Sequence, residues 1–294
     1  MIEIINNNEK CDDLDLGGLK EECFDFSNFY ELRNIISSES RSKVILHLYL
    51  YRNDLNNVET LKNKIKKSAP YILNSVRELE IMGLIKRANK IFYLTSKGNI
   101  ITAIFIKLIE NTYIFKKNDF WTVHNLKQIP FELLNHIYFL KDGKYIQSTN
   151  KDLKKPVREY LKLIKSSDDL NIIMPIFSKI HLDDIFKFTI KNNGSLKIIS
   201  NEEIFNLIFD DYQNEIKTLL NKNKIEFWNI NLDLEIFLTS SHNFSSLNLF
   251  FKDGHYDDSS LLLDKSIKGI EWGLKLFNHY KNKGTKLQLN KILE

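Results

Sequence analysis

Only 4 prolines and 10 glycines occur in 294 residues. So few of either leave little room for long flexible linkers, and regular elements should dominate. Cysteine is scarcer still. The two present, Cys11 and Cys23, form neither a CxxC pair nor a metal-type cluster. A disulfide scaffold is thereby excluded; a reduced, cytosolic chain is the simple reading, with a Cys11–Cys23 bridge as the alternative. Long apolar runs are also missing. The most apolar stretch, around Ile100–Phe115, is interrupted by Lys107, Glu110 and Asn111 and is too polar to span a bilayer unaided. The polar, acidic start has no pattern of a secretory leader. The expectation is a cytoplasmic protein with no membrane partner.

Apolar residues make up 43% of the chain, with 20 Phe and 12 Tyr. That is ample for two cores, or one large one. The formal net charge of +4 is unevenly placed. Met1–Glu31 carries nine acids against two lysines, whereas Arg41–Lys97 carries twelve Lys+Arg against four acids. A basic block of domain length is the electrostatic footprint of a nucleic-acid binder. The acidic lead contains Phe24, Phe26, Phe29, Tyr30, Leu32, Ile35 and Ile36, which favours a packed helix over a solvated arm.

Within the basic block, Ser40 is placed to cap a helix over Arg41–Tyr51, with Val44, Ile45, Leu48 and Tyr49 on one face. A short helix follows over Val58–Lys66, then a turn, then a third helix from Ser68 to about Met82. Pro70 sits in the first turn of that helix and Gly83 ends it. Leu84 and Ile85 open a strand, Lys86–Asn89 form a basic hairpin, and Ile91–Thr95 return. This order resembles a winged helix-turn-helix, and Arg77–Gly98 resembles the recognition helix and wing of many bacterial and archaeal repressors. With Ile72, Val76 and Leu79 inward, Tyr71, Asn74, Ser75 and Arg77 are expected on the solvent side. Asn74 suits adenine, and Tyr71 suits a thymine methyl or a phosphate. Lys66, Lys67 and Ser68 flank a helix N-terminus that favours phosphate, and Arg87 and Lys90 are wing candidates for the minor groove or backbone. Double-stranded DNA is the expected partner. The alternative is a winged helix that binds another protein.

The helix beyond Gly98 has an apolar stripe wider than one core face requires. Dimerisation through it is expected, since two-fold proteins read two-fold operators. After Lys165, strands and helices alternate: Leu170–Ile176, Lys179–Lys191, Leu196–Ser200, a long helix Glu202–Asn221 capped by Asn201, Ile225–Ile230, Glu235–Thr239 and Ser246–Phe251. A last helix covers about Ser266–Lys281. The pattern predicts an α/β sheet covered on its faces.

Two further motifs carry a resemblance to a known family. Phe120-Trp121-x-x-His124-x-Leu126-x-x-Ile129-Pro130 with Leu133-Leu134 resembles the opening of the middle domain of archaeal methanogenesis regulators of the FilR type. Lys252-Asp253-Gly254-x-Tyr256-Asp257 and Glu271-Trp272-Gly273-x-x-Leu276-Phe277-x-x-Tyr280 resemble its close. The resemblance covers about residues 38–282. It implies a transcription regulator of mixed α+β and α/β class, in which a winged helix-turn-helix is joined by a long helix to a phospholipase-D-like sensor domain. The expected divisions are a lead over 1–30, the winged helix over 31–98, the connecting and dimerising helix over 99–118, and the sensor over 119–294.

Phospholipase-D chemistry needs a histidine followed two residues later by lysine. His181 is followed by Leu182-Asp183 and His242 by Asn243-Phe244, so no such enzyme is expected. No cofactor is expected either. Asp253, His255, Asp257 and Asp258 have metal-ligand chemistry, but a solvated turn has the same composition, and no metal is assigned. Trp121, His124 and Trp272 are read as core anchors rather than pocket lining. A small-molecule effector, if bound past the carboxyl ends of parallel strands, would meet Ser178, Ser200 and Asn201.

Overall fold

The computed structural model describes residues 27–288. Cys11, Cys23 and most of the acidic lead lie outside the described residues, and so do the expectations placed on them. By internal contacts the chain divides into two units, the first ending at Glu110 and the second beginning at Asn111.

The first unit runs α1 (Ser27–Ile36), α2 (Glu39–Leu50), α3 (Val58–Ile65), α4 (Ala69–Ile81), β1 (Ile85–Ala88), β2 (Ile91–Leu94) and α5 (Ser96–Lys117), the last crossing the division. Helix α2 is capped by Ser38, whose hydroxyl accepts from the Arg41 amide at 3.3 Å. Ser40, expected as the cap, is instead a buried helical residue. Asn57 caps α3, and Lys66 ends it in the left-handed region with φ 59°. Gly83, at φ +69°, ends α4 while the Leu84 amide reaches back to the Leu79 carbonyl at 2.9 Å. This is the C-terminal geometry that favours glycine. The core gathers Val44, Ile45 and Leu48 of α2, Leu61 and Ile65 of α3, and Ile72, Val76 and Leu79 of α4, closed by Ile85, Phe92 and Phe105.

The hairpin differs from the expected one in its turn. Ala88 pairs with Ile91, so the turn is Asn89-Lys90 alone, at φ 50° and 65°. Two consecutive positive φ angles make a type I′ turn, whose twist matches that of the strands. Lys86 and Arg87 are therefore strand residues. A Cβ on Gly98 would lie 2.0 Å from the Leu84 carbonyl oxygen, so the first turn of α5 tolerates no side chain there.

The second unit opens with short helices α6 (Phe120–Val123) and α7 (Phe131–Leu134) and a 3-10 turn at Ile137–Leu140. There follow β3 (Lys144–Gln147), α8 (Lys155–Lys165), β4 (Asp169–Ile173), α9 (Lys179–Lys191), β5 (Ser195–Ser200), α10 (Glu202–Asp211) and α11 (Gln213–Leu220). The chain continues through β6 (Ile225–Asn229), β7 (Ile236–Ser240), β8 (Ser245–Leu249), β9 (Ser260–Asp264), α12 (Ile267–Lys283) and β10 (Thr285–Lys286). Eight strands form one sheet in the order β10-β6-β5-β4-β7-β8-β9-β3. Only β4, β5 and β6 are mutually parallel; the other pairings are antiparallel, so the sheet is mixed. Alternate strand residues face two cores. Ile172, Ile198 and Phe227 pack with α8 to α11, whereas Ile173, Ile199 and Trp228 pack with α12 and the 120–140 segment.

The expected helix over Glu202–Asn221 is two helices, broken at Tyr212. Tyr212 turns inward to stack on Phe186 at 4.8 Å between ring centroids, and its hydroxyl donates to Asp183 at 2.7 Å. No helix among the described residues is long and apolar enough to cross a membrane.

Candidate nucleic-acid interface

Helix α4 shows two opposed faces. Ile72, Val76 and Leu79 are fully buried, while Tyr71 and Ile81 are 67% and 77% exposed. Asn74 and Arg77 are exposed on the same outer side. Ser75 is not. It is buried, and its hydroxyl donates to Ser40 of α2 at 2.8 Å. Ser75 therefore leaves the candidate contact set and becomes part of the α2–α4 packing. Position 75 lies one turn beyond Ile72, so it falls on the inward side of the wheel despite its polar type.

Asn74 donates to Glu78 Oε1 at 3.2 Å, and Glu78 is paired in turn with Arg41. Lys66, Lys67 and Ser68 are exposed at the start of α4. The Ser68 side chain makes no capping bond and Pro70 has no N–H, so the first turn of α4 lacks a side-chain cap. Lys67 lies 3.7 Å from Glu39, which also binds Lys43 at 2.5 Å. On β1, the Arg87 guanidinium stands 5.0 Å over the Phe92 ring with Glu80 at 3.8 Å. Lys66, Arg77 and Lys90 make no ion pair among the described residues. The nominated cations thus lie at the start of α4 (Lys66, Lys67), on its outer face (Arg77) and on the hairpin (Arg87, Lys90), but Lys67 and Arg87 are held by acids of their own unit.

The effector candidates of the second unit do not form a shared open site. Ser200 is fully buried and donates to the Met174 carbonyl at 2.6 Å, a correction to its expected role. The Asn201 side chain accepts from the Ile204 amide at 3.1 Å and serves as the cap of α10. Ser178 keeps partial exposure and bonds His181 Nδ1 at 2.7 Å. Burial pushes His181 down to about 4, so it is neutral over the physiological range.

Asp253, His255, Asp257 and Asp258 do not converge as metal ligands. Asp253 and His255 pair at 3.1 Å on an exposed turn, whereas Asp257 is buried. Among the described residues the one converging trio is Asp168, Asp169 and His242, with ligand atoms within 4.8 Å. Its geometry is that of a hydrogen-bonded turn: Asp169 Oδ1 accepts from Ser241 at 2.8 Å and lies 2.6 Å from His242 Nδ1.

Trp121, His124 and Trp272 all belong to the core. The Trp272 indole donates to the Leu133 carbonyl at 2.9 Å. His124 Nε2 lies 2.9 Å from Asp257 Oδ2 and its Nδ1 lies 2.6 Å from the Phe120 carbonyl. Burial raises Asp257, but hydrogen bonds from His124, Ser259 and Ser260 outweigh it and hold the carboxyl well below the usual carboxylate range.

Residues 29–112 match the family described as methanogenesis regulatory protein FilR1, N-terminal domain, and residues 153–283 match its middle domain. The methanogenesis regulatory protein FilR1 of Methanothrix harundinacea is 24% identical over 256 residues, covering 85% of this chain. The chain spans 56% of that relative's length. Among solved structures, the archaeal chromatin protein TrmBL2 aligns over 88% of this chain and 99% of its own at 13% identity and a TM-score of 0.39. Nuc from Salmonella typhimurium, a phospholipase D family member, aligns over 50% of this chain and 97% of its own at 14% identity and a TM-score of 0.35. Neither score is high enough to bear on function.

Proposed function

This chain belongs to the FilR1 regulatory family, and from that premise we propose that it is a DNA-binding transcription regulator of the cytoplasm, without enzymatic activity. The observation that carries the reading is the outward face of α4, where Tyr71, Asn74 and Arg77 stand exposed opposite a fully buried stripe. In this reading α2, α3, α4 and the β1–β2 hairpin work as a winged helix-turn-helix. Helix α4 enters the major groove, Asn74 reads a base edge, and Arg77 reads a base or a phosphate. Lys66, Lys67 and the Ser68 end of α4 take a phosphate, and Arg87 and Lys90 follow the backbone or minor groove.

The ion pairs of Lys67 and Arg87 do not oppose this role. Exposed pairs are worth about 0–1 kcal/mol, so phosphates exchange for them at little cost. Helix α5 leaves Ile100, Ile104 and Leu108 exposed at four-residue spacing, the stripe a two-fold partner would cover. We place dimerisation there and assign residues 119–294 as the effector-sensing domain. An effector coupling of about 1–3 kcal/mol would change operator affinity about 5–150-fold.

The test is selection of bound duplexes from genomic fragments by the full chain, followed by titration over a salt series. Expected is affinity that falls steeply with salt, with Lys67→Ala weakening all sequences alike and reducing the salt slope by about one. Asn74→Ala should cost about 1–3 kcal/mol on the selected site and relax base choice there. Binding to no duplex, or binding without a salt slope, would overturn the reading in favour of a protein-interaction module.

A further inference from the structure

The first unit also contains a cavity of about 410 Å³, bounded by α2, β2 and α5 and set apart from the exposed residues of α4. Its apolar walls are Leu48 of α2, Phe92 and Leu94 of β2, and Ile100 and Ala103 of α5, Ile100 being the first residue of the exposed α5 stripe. Leu48 and Phe92 are core residues, 2% and 1% exposed, so these walls are fixed by the fold before anything binds. The volume lies in the ordinary range for small-molecule pockets.

The polar groups are one-sided in charge. Arg52 lines the cavity, is exposed, and makes no ion pair among the described residues. No acidic side chain lines it. Tyr49, Tyr93, Asn56 and Asn99 supply its uncharged polar lining, and phenolic hydroxyls donate readily. A guanidinium keeps its charge at any working pH and offers a fork matched to a carboxylate. Apolar walls of fixed shape with one unpaired cation select a molecule having an apolar body and one anionic end.

We propose that this cavity binds a small organic monocarboxylate, aliphatic or aromatic, with its carboxylate on Arg52. The site differs from the Ser178, Ser200 and Asn201 region considered for an effector and lies in the unit that carries α4. Occupancy would bear on α2, β2 and α5 together. Its effect on DNA rests on the proposed function; the binding itself does not.

Calorimetric titration of the full chain with octanoate and with phenylacetate tests the binding, with phenylacetamide as the neutral counterpart. At least one acid should bind with a Kd below about 1 mM. Arg52→Ala, a change at an exposed side chain, should weaken it about 10–100-fold, and phenylacetamide should bind comparably less well than phenylacetate. Ala103→Trp should abolish binding by filling the cavity. Should that variant fail to fold, Arg52→Ala and the amide still decide.

No heat from either acid up to about 1 mM overturns the proposal, and so does binding that is indifferent to both Arg52→Ala and the loss of the carboxylate. A chain that binds neither acid but loses a dimer on Ala103→Trp assigns the cavity to a second copy, which also overturns it. Duplex titration with and without the acid separates the two layers: saturable acid binding with unchanged duplex affinity leaves the site standing and removes only its link to DNA.

Discussion

Replacing Asp257 by asparagine tests how the second unit is held together. The carboxylate is 3% exposed and receives His124 Nε2 at 2.9 Å, the Ser259 amide at 2.8 Å and the Ser259 hydroxyl at 2.6 Å, with the Ser260 hydroxyl close by. Asparagine keeps the size but removes the charge opposite a fully buried imidazole. It also replaces one acceptor oxygen by a donor that faces donors. Breaking a buried pair in this way costs about 3–5 kcal/mol, because the surviving partner stays desolvated. For a unit of this size each kcal/mol lowers Tm by about 2–4 °C, so Asp257→Asn should melt about 6–20 °C lower. Denaturant unfolding followed by tryptophan fluorescence gives the free energy directly. A cycle with His124→Phe should show a coupling of about 2 kcal/mol or more.

The acid limb adds a second readout. Since the folded carboxyl is held well below its unfolded value of about 4, its stabilisation is complete above that value and is lost as pH falls through the folded one. Asp257→Asn should flatten this acid limb. A loss under about 1 kcal/mol with an unchanged acid limb would refute the assignment of the pair as a major brace.

His181, buried and pushed down to about 4, makes the opposite side of the sheet sensitive to milder acid. The unfolded imidazole protonates near 6.5, so stability present above that value should fall between about 6.5 and 4, and His181→Phe should remove that slope in pH-dependent melts. Gly98→Ala places a Cβ on the Leu84 carbonyl oxygen and should cost about 1–3 kcal/mol or more, read by denaturant unfolding. The double change Ile104→Glu and Leu108→Glu should leave the fold intact and give a monomeric mass by light scattering; a retained dimer would place the two-fold contact elsewhere.

What could be read from the residues divides by distance along the chain. Helix α4 was legible because its punctuation is local: Pro70 in the first turn, Ile72, Val76 and Leu79 one to two turns apart, and Gly83 at a positive φ. The role of Ser75 was not, since its partner Ser40 is 35 residues away and a polar type suggests an outward position. Ser38 and Ser40 are equally good caps by type, and only the side that Ser40 must bury decides between them.

In the second unit the break at Tyr212 has no proline or glycine to announce it; it follows from the demand of Phe186 and Asp183 for that ring. Helix α8 and strands β3 and β9 were missed as well. The short strands depend on pairing with each other, Lys144–Gln147 against Ser260–Leu263, rather than on any local signal. The mixed sense of the sheet likewise depends on long-range partners. Arg52 carried no motif, and its position beside an apolar cavity emerges only when α2, β2 and α5 meet.

Helix α2 meets α4 near its first turn, through Ser40 and Arg41, and reaches the cavity near its last, through Leu48 and Tyr49. Twelve residues at 1.5 Å each make a stiff rod about 18 Å long. Pivoting such a rod by about 5° carries one tip about 1.5 Å sideways, roughly half a hydrogen-bond length. A nudge delivered at Tyr49 would then arrive at Ser75 as a change in the roll of the neighbouring helix, and the outward row beginning at Tyr71 would turn with it.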